Sequence, residues 1–344
     1  MKRIFLLLLL LVSAASVRAQ QNPDSRIDTL ETRVSTWEKI VSHLPRFSGY
    51  VQAGYQWADD ASSFFLKRVR LSVAGDIAPK IDYKIQFEFT NPRLVDAYIR
   101  YKPLKELNIQ LGQYKVPFSI ENTEYVPTKL EFTEYPLVLR KLIGFGEDIS
   151  GLSATGRDIG ATLSGGFIEH DGFRIINYDL SVFDGAGLNR KDDNKSKDFA
   201  ARLTIKPLAG LQIAGSYYYG ETGADYALRE RYAMGICYDR DAWVVRGEWI
   251  GGRTGVKSRR YTSDGWYAMV GWRAPRNFMP AARFETFTEN RDRWTATTQN
   301  NYTVGLLYAP FKYLRCQLDY TFEDHKAPGT ADRNVVSLMI TGMF

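Results

Sequence analysis

From Arg46 to Phe344 the chain repeats one device. Apolar and polar residues alternate over a short stretch, a cluster of turn residues follows, and the alternation resumes. A period of two belongs to strands, whose successive side chains point to opposite faces. The last of these stretches is the cleanest. Val336, Leu338, Ile340, Gly342 and Phe344 make an apolar row, while Val335, Ser337, Met339, Thr341 and Met343 occupy the other face. A strand ending on an aromatic residue is characteristic of barrels of the bacterial outer membrane.

The start of the chain points to the same compartment. Lys2 and Arg3 precede an apolar run from Ile4 to Val12, and small residues surround Ala19. Charged start, short apolar middle and small-residue cleavage site predict a secretory signal peptide over 1–19, too short in its apolar part to span a bilayer. No later stretch reads as a membrane helix, and mean hydropathy is −0.30. An integral membrane protein without such helices has to be a barrel, because only helices and closed barrels satisfy every backbone polar group in lipid. The expected location is the bacterial outer membrane.

Charge and cysteine usage narrow the function. The formal net charge is +6, and loss of Lys2, Arg3 and Arg18 on export lowers it to +3, too small an excess to imply nucleic acid. The two cysteines, Cys237 and Cys316, fall on different strands, and both are expected on the apolar face as small fillers rather than as a disulfide.

Residues 20–45 carry the one helical pattern. Ile27, Leu30, Val34, Trp37, Val41 and Leu44 follow alternating spacings of three and four, with Arg26 and Arg33 at g and Glu31 and Glu38 at e. Two readings stay open here: a short oligomerising coiled coil, or a single amphipathic helix lying on the barrel. The region 46–344 divides into about sixteen strands of roughly 9–11 residues, the length a tilted membrane strand needs. Connections after even-numbered strands are tight, as at Ala274-Pro275-Arg276 and Pro310-Phe311; those after odd-numbered strands are mostly long, with Asn91-Pro92-Arg93 the exception. Short turns on one rim and long loops on the other are the arrangement of outer-membrane barrels.

Periodicity does not say which face meets lipid. The exported start, the rim asymmetry and the aromatics near strand ends (Tyr238, Trp243, Trp249, Trp266, Trp272, Tyr302, Tyr308, Tyr320) place the apolar face outward. Alternation then sends inward Arg68, Arg70, Lys84, Arg100, Arg202, Arg231, Arg246, Arg273, Arg283 and Arg315, ten basic groups, against six acids: Asp82, Glu88, Asp96, Glu248, Glu285 and Asp319. So many ionic groups require water inside, since a dry core would charge several kcal/mol for each. Arg246 with Glu248, and Arg283 with Glu285, read as wall-bracing ion pairs. Arg68 and Arg70 have fewer acidic neighbours in sequence and are the better candidates to meet an anion, for which guanidinium offers a fixed fork of donors.

Residues 115–155 form the one long loop, and long loops in compact proteins are usually functional. It is rich in aromatic and aliphatic residues, which predicts a packed loop at the waist of the pore. Its candidate constriction residues are Lys115, Glu121, Glu124, Lys129, Arg140 and Lys141; over the whole loop four basic residues stand against six acids.

Four motifs are similar to those of the phosphate-selective porin O/P family. They are Arg68-Val69-Arg70-Leu71 leading to Gly75-Asp76, Asp96-Ala97-Tyr98-Ile99, Leu111-Gly112-Gln113-Tyr114-Lys115-Val116-Pro117-Phe118-Ser119 with Glu121, and Arg157-Asp158-Ile159-Gly160. The resemblance implies a sixteen-stranded, homotrimeric outer-membrane porin for small hydrophilic or anionic solutes, narrowed by its third loop. It implies no cofactor.

Two other classes compete with this reading. An outer-membrane enzyme needs a nucleophile and base, and His43, His170 and His325 have no triad-like or metal-ligand neighbours in sequence. A non-conducting adhesin or structural barrel would carry apolar inward residues, which the alternation does not provide. The expectation is a porin and no enzyme.

Overall fold

The computed structural model describes residues 44–145, 147–151, 155–256 and 259–344. The expected signal peptide and nearly all of the 20–45 helical segment lie outside them. Sixteen antiparallel strands close into a barrel in which each strand pairs with its sequence neighbours and β1 (Arg46–Ala58) pairs with β16 (Arg333–Met343). In between run β2 (Ser62–Ala78), β3 (Ile81–Glu88), β4 (Arg93–Leu104), β5 (Leu107–Lys115), β6 (Arg157–His170), β7 (Phe173–Phe183) and β8 (Asp198–Leu208). The second half comprises β9 (Leu211–Thr222), β10 (Ala227–Arg240), β11 (Trp243–Val256), β12 (Arg259–Trp272), β13 (Phe278–Thr288), β14 (Thr298–Phe311) and β15 (Leu314–His325). Closure leaves no unpaired sheet edge, as hydrocarbon demands.

The closing seam explains the terminal residue. Phe344 and Gly49 exchange two backbone hydrogen bonds, each 3.0 Å. A Cβ on Gly49 would stand 2.4 Å from the Phe344 ring, so glycine makes room for it. The short turns are two-residue hairpins or nearly so. Between β6 and β7, Asp171 and Gly172 have φ of 45° and 80°, the pair of positive angles that such hairpins favour. The long connections all leave the opposite rim, and the periplasmic rim has only short ones. The connections after β1, β9 and β11, expected to be long, are instead turns of two to four residues like the one after β3, because the paired strands run on past the membrane.

Outward faces are apolar: Leu71, Ile85, Leu203, Ile236, Val304 and Leu338 alternate with buried or polar inward partners. Trp249, Trp266 and Tyr302 face outward at 41%, 42% and 48% exposure. Exposed apolar surface on this scale is a lipid-contact surface. One assignment changes. Cys316 faces outward, but Cys237 points inward, 2% exposed, with the Tyr125 hydroxyl 3.1 Å from its sulfur. Tyr238 takes the outward position, so alternation alone turns its neighbour into the lumen. Both thiols are free.

The buried core is inside the barrel. The segment between β5 and β6 folds inward, carrying two short helices, α1 (Ile120–Glu124) and α2 (Leu137–Leu142). Leu137, Val138, Leu139 and Leu142 of α2 are 0% exposed. With Phe118, Ile120, Tyr125 and Phe132 they pack on inward Ala200, Ala214, Ala233, Val244, Ile250, Met269, Phe287 and Leu307. The loop therefore leans on β8–β14, where inward residues between the charged ones are small or apolar. The inner wall of β1–β5 is polar instead.

Candidate functional site

The folded-in loop is gripped by three consecutive odd strands in one repeated way. Each carries a basic and an acidic residue on its inward face. On β11, Arg246 lies between Glu121 and Glu131 of the loop, at 2.5 and 2.7 Å, with its Cζ 3.6 Å from the Tyr125 ring centroid. Two residues on, Glu248 accepts from Ile120 N at 2.5 Å, Glu121 N at 2.9 Å and Ser119 Oγ at 3.0 Å. On β13, Arg283 donates to Glu134 O at 3.0 Å while Glu285 accepts from Leu137 N at 3.2 Å. On β15, Arg315 donates to Leu130 O at 2.8 Å and Asp319 accepts from Thr133 N at 2.5 Å.

Physically, the first amides of α1 and α2 lack helical partners, and an inward carboxylate satisfies them. The expected Arg246–Glu248 brace is therefore wrong: residues two apart on a strand share a face, and both reach across to the loop instead of to each other. Arg283 and Glu285 do pair, at 2.5 Å, while also holding the loop. Tyr267 ties the first clasp together, donating to Glu121 Oε2 at 2.9 Å or to Glu248 Oε2 at 3.2 Å.

Across the lumen the basic residues behave differently. Arg70 is 5% exposed and bound to Glu88 at 2.8 Å, which corrects its assignment as a group with few acidic neighbours; Glu88 is eighteen residues away in sequence but directly opposite on β3. Lys84 pairs with Asp96 at 2.9 Å, and Asp96 also holds Arg157 at 2.7 Å. Arg100 pairs with Asp82 at 3.0 Å. Arg202 reaches Glu124 of the loop at 2.7 Å. Arg140 and Lys141 both pair with Glu147. Arg273 is not on the wall: it lies past the end of β12 in a periplasmic turn, 42% exposed and paired with Asp239.

Five of the sequence candidates have no carboxylate within ion-pair distance among the described residues. Arg68 donates to Gln52 Oε1 at 2.9 Å, and its Cζ is 6.0 Å from the Tyr135 ring centroid. Arg231, buried at 2% exposure, donates through Nε and Nη1 to three backbone carbonyls, of Leu142, Glu230 and Arg253, while its Nη2 has no partner among the described residues. Lys115 holds the carbonyls of Asn122 and Tyr125. Lys129 is exposed, and with Arg315 and Lys312 it lines an open vestibule of about 540 Å³ at the periplasmic end.

The residue that sequence reading missed is Lys67. The β1–β2 register slips between Gln52 and Ala53, so that Lys67 and Arg68 form a bulge and both turn inward. Lys67 donates to Thr133 O at 2.8 Å and pairs with Glu134. Burial opposes ionisation of Glu134, but Lys67 and Arg140 outweigh it and hold the carboxyl low, at about 2. Two adjacent cations inside an otherwise alternating strand were the signal available for that bulge.

Comparison with known proteins places this geometry. The family model for phosphate-selective porin O and P matches residues 46–234. No curated protein sequence matches the chain. Among solved structures, an anion-selective porin from Comamonas acidovorans superposes with a TM-score of 0.70 at 10% identity, covering 87% of this chain and 99% of that one. The outer-membrane channel DcaP of Acinetobacter baumannii gives 0.61 at 13% identity, with 87% and 97% covered. OmpT of Vibrio cholerae gives 0.61 at 9%, again with 87% and 97% covered. At such identities the structures speak for the barrel fold, and the family match speaks for kinship. A closed sixteen-stranded barrel with an ionic inner wall, an inward-folded loop after β5 and the family's sequence over more than half its length belongs to the phosphate-selective porin O and P family, and is an outer-membrane porin.

Proposed function

We propose that this porin passes small hydrophilic solutes by passive diffusion with a weak preference for anions. One contrast carries the reading. The acids that hold the loop without a cation of their own, Glu248 and Asp319, are 3% and 4% exposed and turned away from the lumen onto loop donors. The cations without a carboxylate include Arg68, Lys129 and Arg315, which keep exposure to the lumen. A solute in the lane therefore meets cations uncompensated by acids, although Asp76 at the periplasmic rim is one exposed acid without a partner. A basic, water-filled constriction attracts anions and repels cations. The anion-selective porin of similar fold supports the same sign. Reconstituted in planar bilayers under a salt gradient, the protein is expected to give ohmic steps and a reversal potential of anionic sign. Cationic sign, or silence from folded protein, would overturn the proposal. A channel of this kind requires no catalytic group.

The assembly we propose is a homotrimer of barrels, each made of 46–344 after removal of 1–19, with 20–45 helping to hold the protomers together. Its apolar seam of Ile27, Leu30, Val34, Trp37, Val41 and Leu44 supports that role. Deleting 20–45 should lower the temperature at which the trimer dissociates on native gels. An unchanged trimer would assign the segment elsewhere.

A further inference from the structure

The outward face of a membrane barrel should be free of charge at mid-height, and here it is. Just beyond the extracellular aromatic girdle, however, ionic groups return on the lipid side of β10–β12. The girdle here is made of tilted ring pairs: Tyr232 and Trp249 with centroids 5.5 Å apart, and Trp266 and Phe284 at 5.1 Å. Such rings mark the boundary between hydrocarbon and headgroups.

Directly opposite each other, Glu230 and Arg253 then face outward, with Arg253 Nε 2.5 Å from Glu230 Oε2. On the next strand Asp264 faces the same way, opposite Gly251, and Arg291 Nε lies 2.8 Å from its Oδ1. In both pairs the acid is the covered partner and the arginine the exposed one, side chains 10% against 54% and 16% against 55%. Tyr217 donates to Glu230 at 2.9 Å and Trp249 to Asp264 at 3.3 Å, which fixes the carboxylates in place. Glu230 accepts a hydrogen bond from Arg253 Nε, and Asp264 meets Arg291 as an ion pair on the Nε side. Among the described residues, the Nη groups of both arginines have no protein partner.

A guanidinium anchored through Nε presents a pair of parallel N–H donors, the fork that fits two oxygens of a phosphate. Register places Arg253 two positions along its strand from Gly251, the residue opposite Asp264, roughly 7 Å, which brings both ion pairs to the outward face of β11 and β12. We infer that Arg253 and Arg291 form a headgroup site for a phosphate-bearing lipid of the outer leaflet, whose acyl chains lie along the girdle beneath. Charge complementarity and the height just past the aromatic rings choose this occupant. A second protomer would bury the same surface and is the alternative that the experiment separates.

The test uses the full-length mature protein in detergent, with diphosphoryl lipid A and its dephosphorylated counterpart as probes, read by native mass spectrometry. The wild type is expected to bind the phosphorylated lipid about a hundredfold more tightly, about tenfold for each charged contact. The double variant Arg253→Gln, Arg291→Gln should lose that discrimination while keeping its oligomeric state and single-channel conductance, since both residues lie outside the pore. Arg253→Lys with Arg291→Lys should fall between, keeping charge without the fork. Equal binding of the two lipids by the wild type, or undiminished discrimination in the Gln variant, overturns the inference. Loss of oligomer with discrimination intact also overturns it, and makes the surface a protomer contact.

Discussion

Replacing Arg246 with alanine is expected to release the first half of the long loop and to give a higher, flickering single-channel conductance. Its side chain is 1% exposed and is the sole ion-pair partner of both Glu121 and Glu131 among the described residues. Removing it leaves two buried carboxylates facing each other, beside a third, Glu248. Breaking a buried pair in this way costs about 3–5 kcal/mol. The second half of the loop is held differently. Leu137, Val138 and Leu139 are fully buried, and each contributes about 1.5–3 kcal/mol by burial. The expected result is thus partial release: 118–131 become protease-sensitive from the extracellular side while α2 stays docked. The triple variant Arg246→Leu, Glu121→Gln, Glu131→Gln removes the unpaired charge as well and should recover much of the wild-type conductance. An unaltered conductance in Arg246→Ala would mean that apolar packing alone positions the loop.

Reversing Arg68 to glutamate is expected to abolish the anion preference, or to turn it over, with little loss of stability. Among the described residues Arg68 has no carboxylate partner, so no buried acid is orphaned by its removal. The reversal changes the local charge by two units. At 4 Å each unit is worth about 1 kcal/mol even at the permittivity of bulk water, and more inside a protein. A change of about 2 kcal/mol exceeds the 1.4 kcal/mol that corresponds to tenfold in an equilibrium. The anion-to-cation permeability ratio from reversal potentials should fall by about tenfold or more. Arg70→Gln is the contrasting variant. That side chain neutralises the buried Glu88, so its loss should appear as impaired folding, seen in heat-modified mobility, more than as altered selectivity. If Arg68→Glu leaves the reversal potential unmoved, the lane does not pass Arg68 and the assignment of the constriction fails.

The two variants differ because the structure separates arginines that look alike in sequence. Arg68 and Arg70 share a strand, a spacing and a face, and alternation alone makes both candidate anion contacts. What distinguishes them is the residue that strand register sets beside each, on β3 for Arg70 and on β1 for Arg68. Register sets Arg70 against Glu88, whereas the bulge at Lys67–Arg68 sets Arg68 against Gln52. Likewise the i, i+2 pairs on β11 and β13 look like local braces. Their use is settled by a loop more than one hundred residues earlier in the chain. Lys67 escaped notice because a bulge breaks the period on which inward and outward were assigned.

The strands, their number, the short periplasmic turns and the outward placement of the apolar rows were legible in the order of residues. The extracellular connections after β1, β9 and β11 were not, because those strands continue to turns of two to four residues. A backbone in lipid has few ways to satisfy its hydrogen bonds, and a period of two reports the face directly. The pairing of the charges was not. An ion pair is decided by which side chains meet across strands and against the folded-in loop, over a few ångströms, and alternation says only that they share the lumen. Closure of the barrel and the seating of the loop therefore chose which cations are neutralised and which still face the solute.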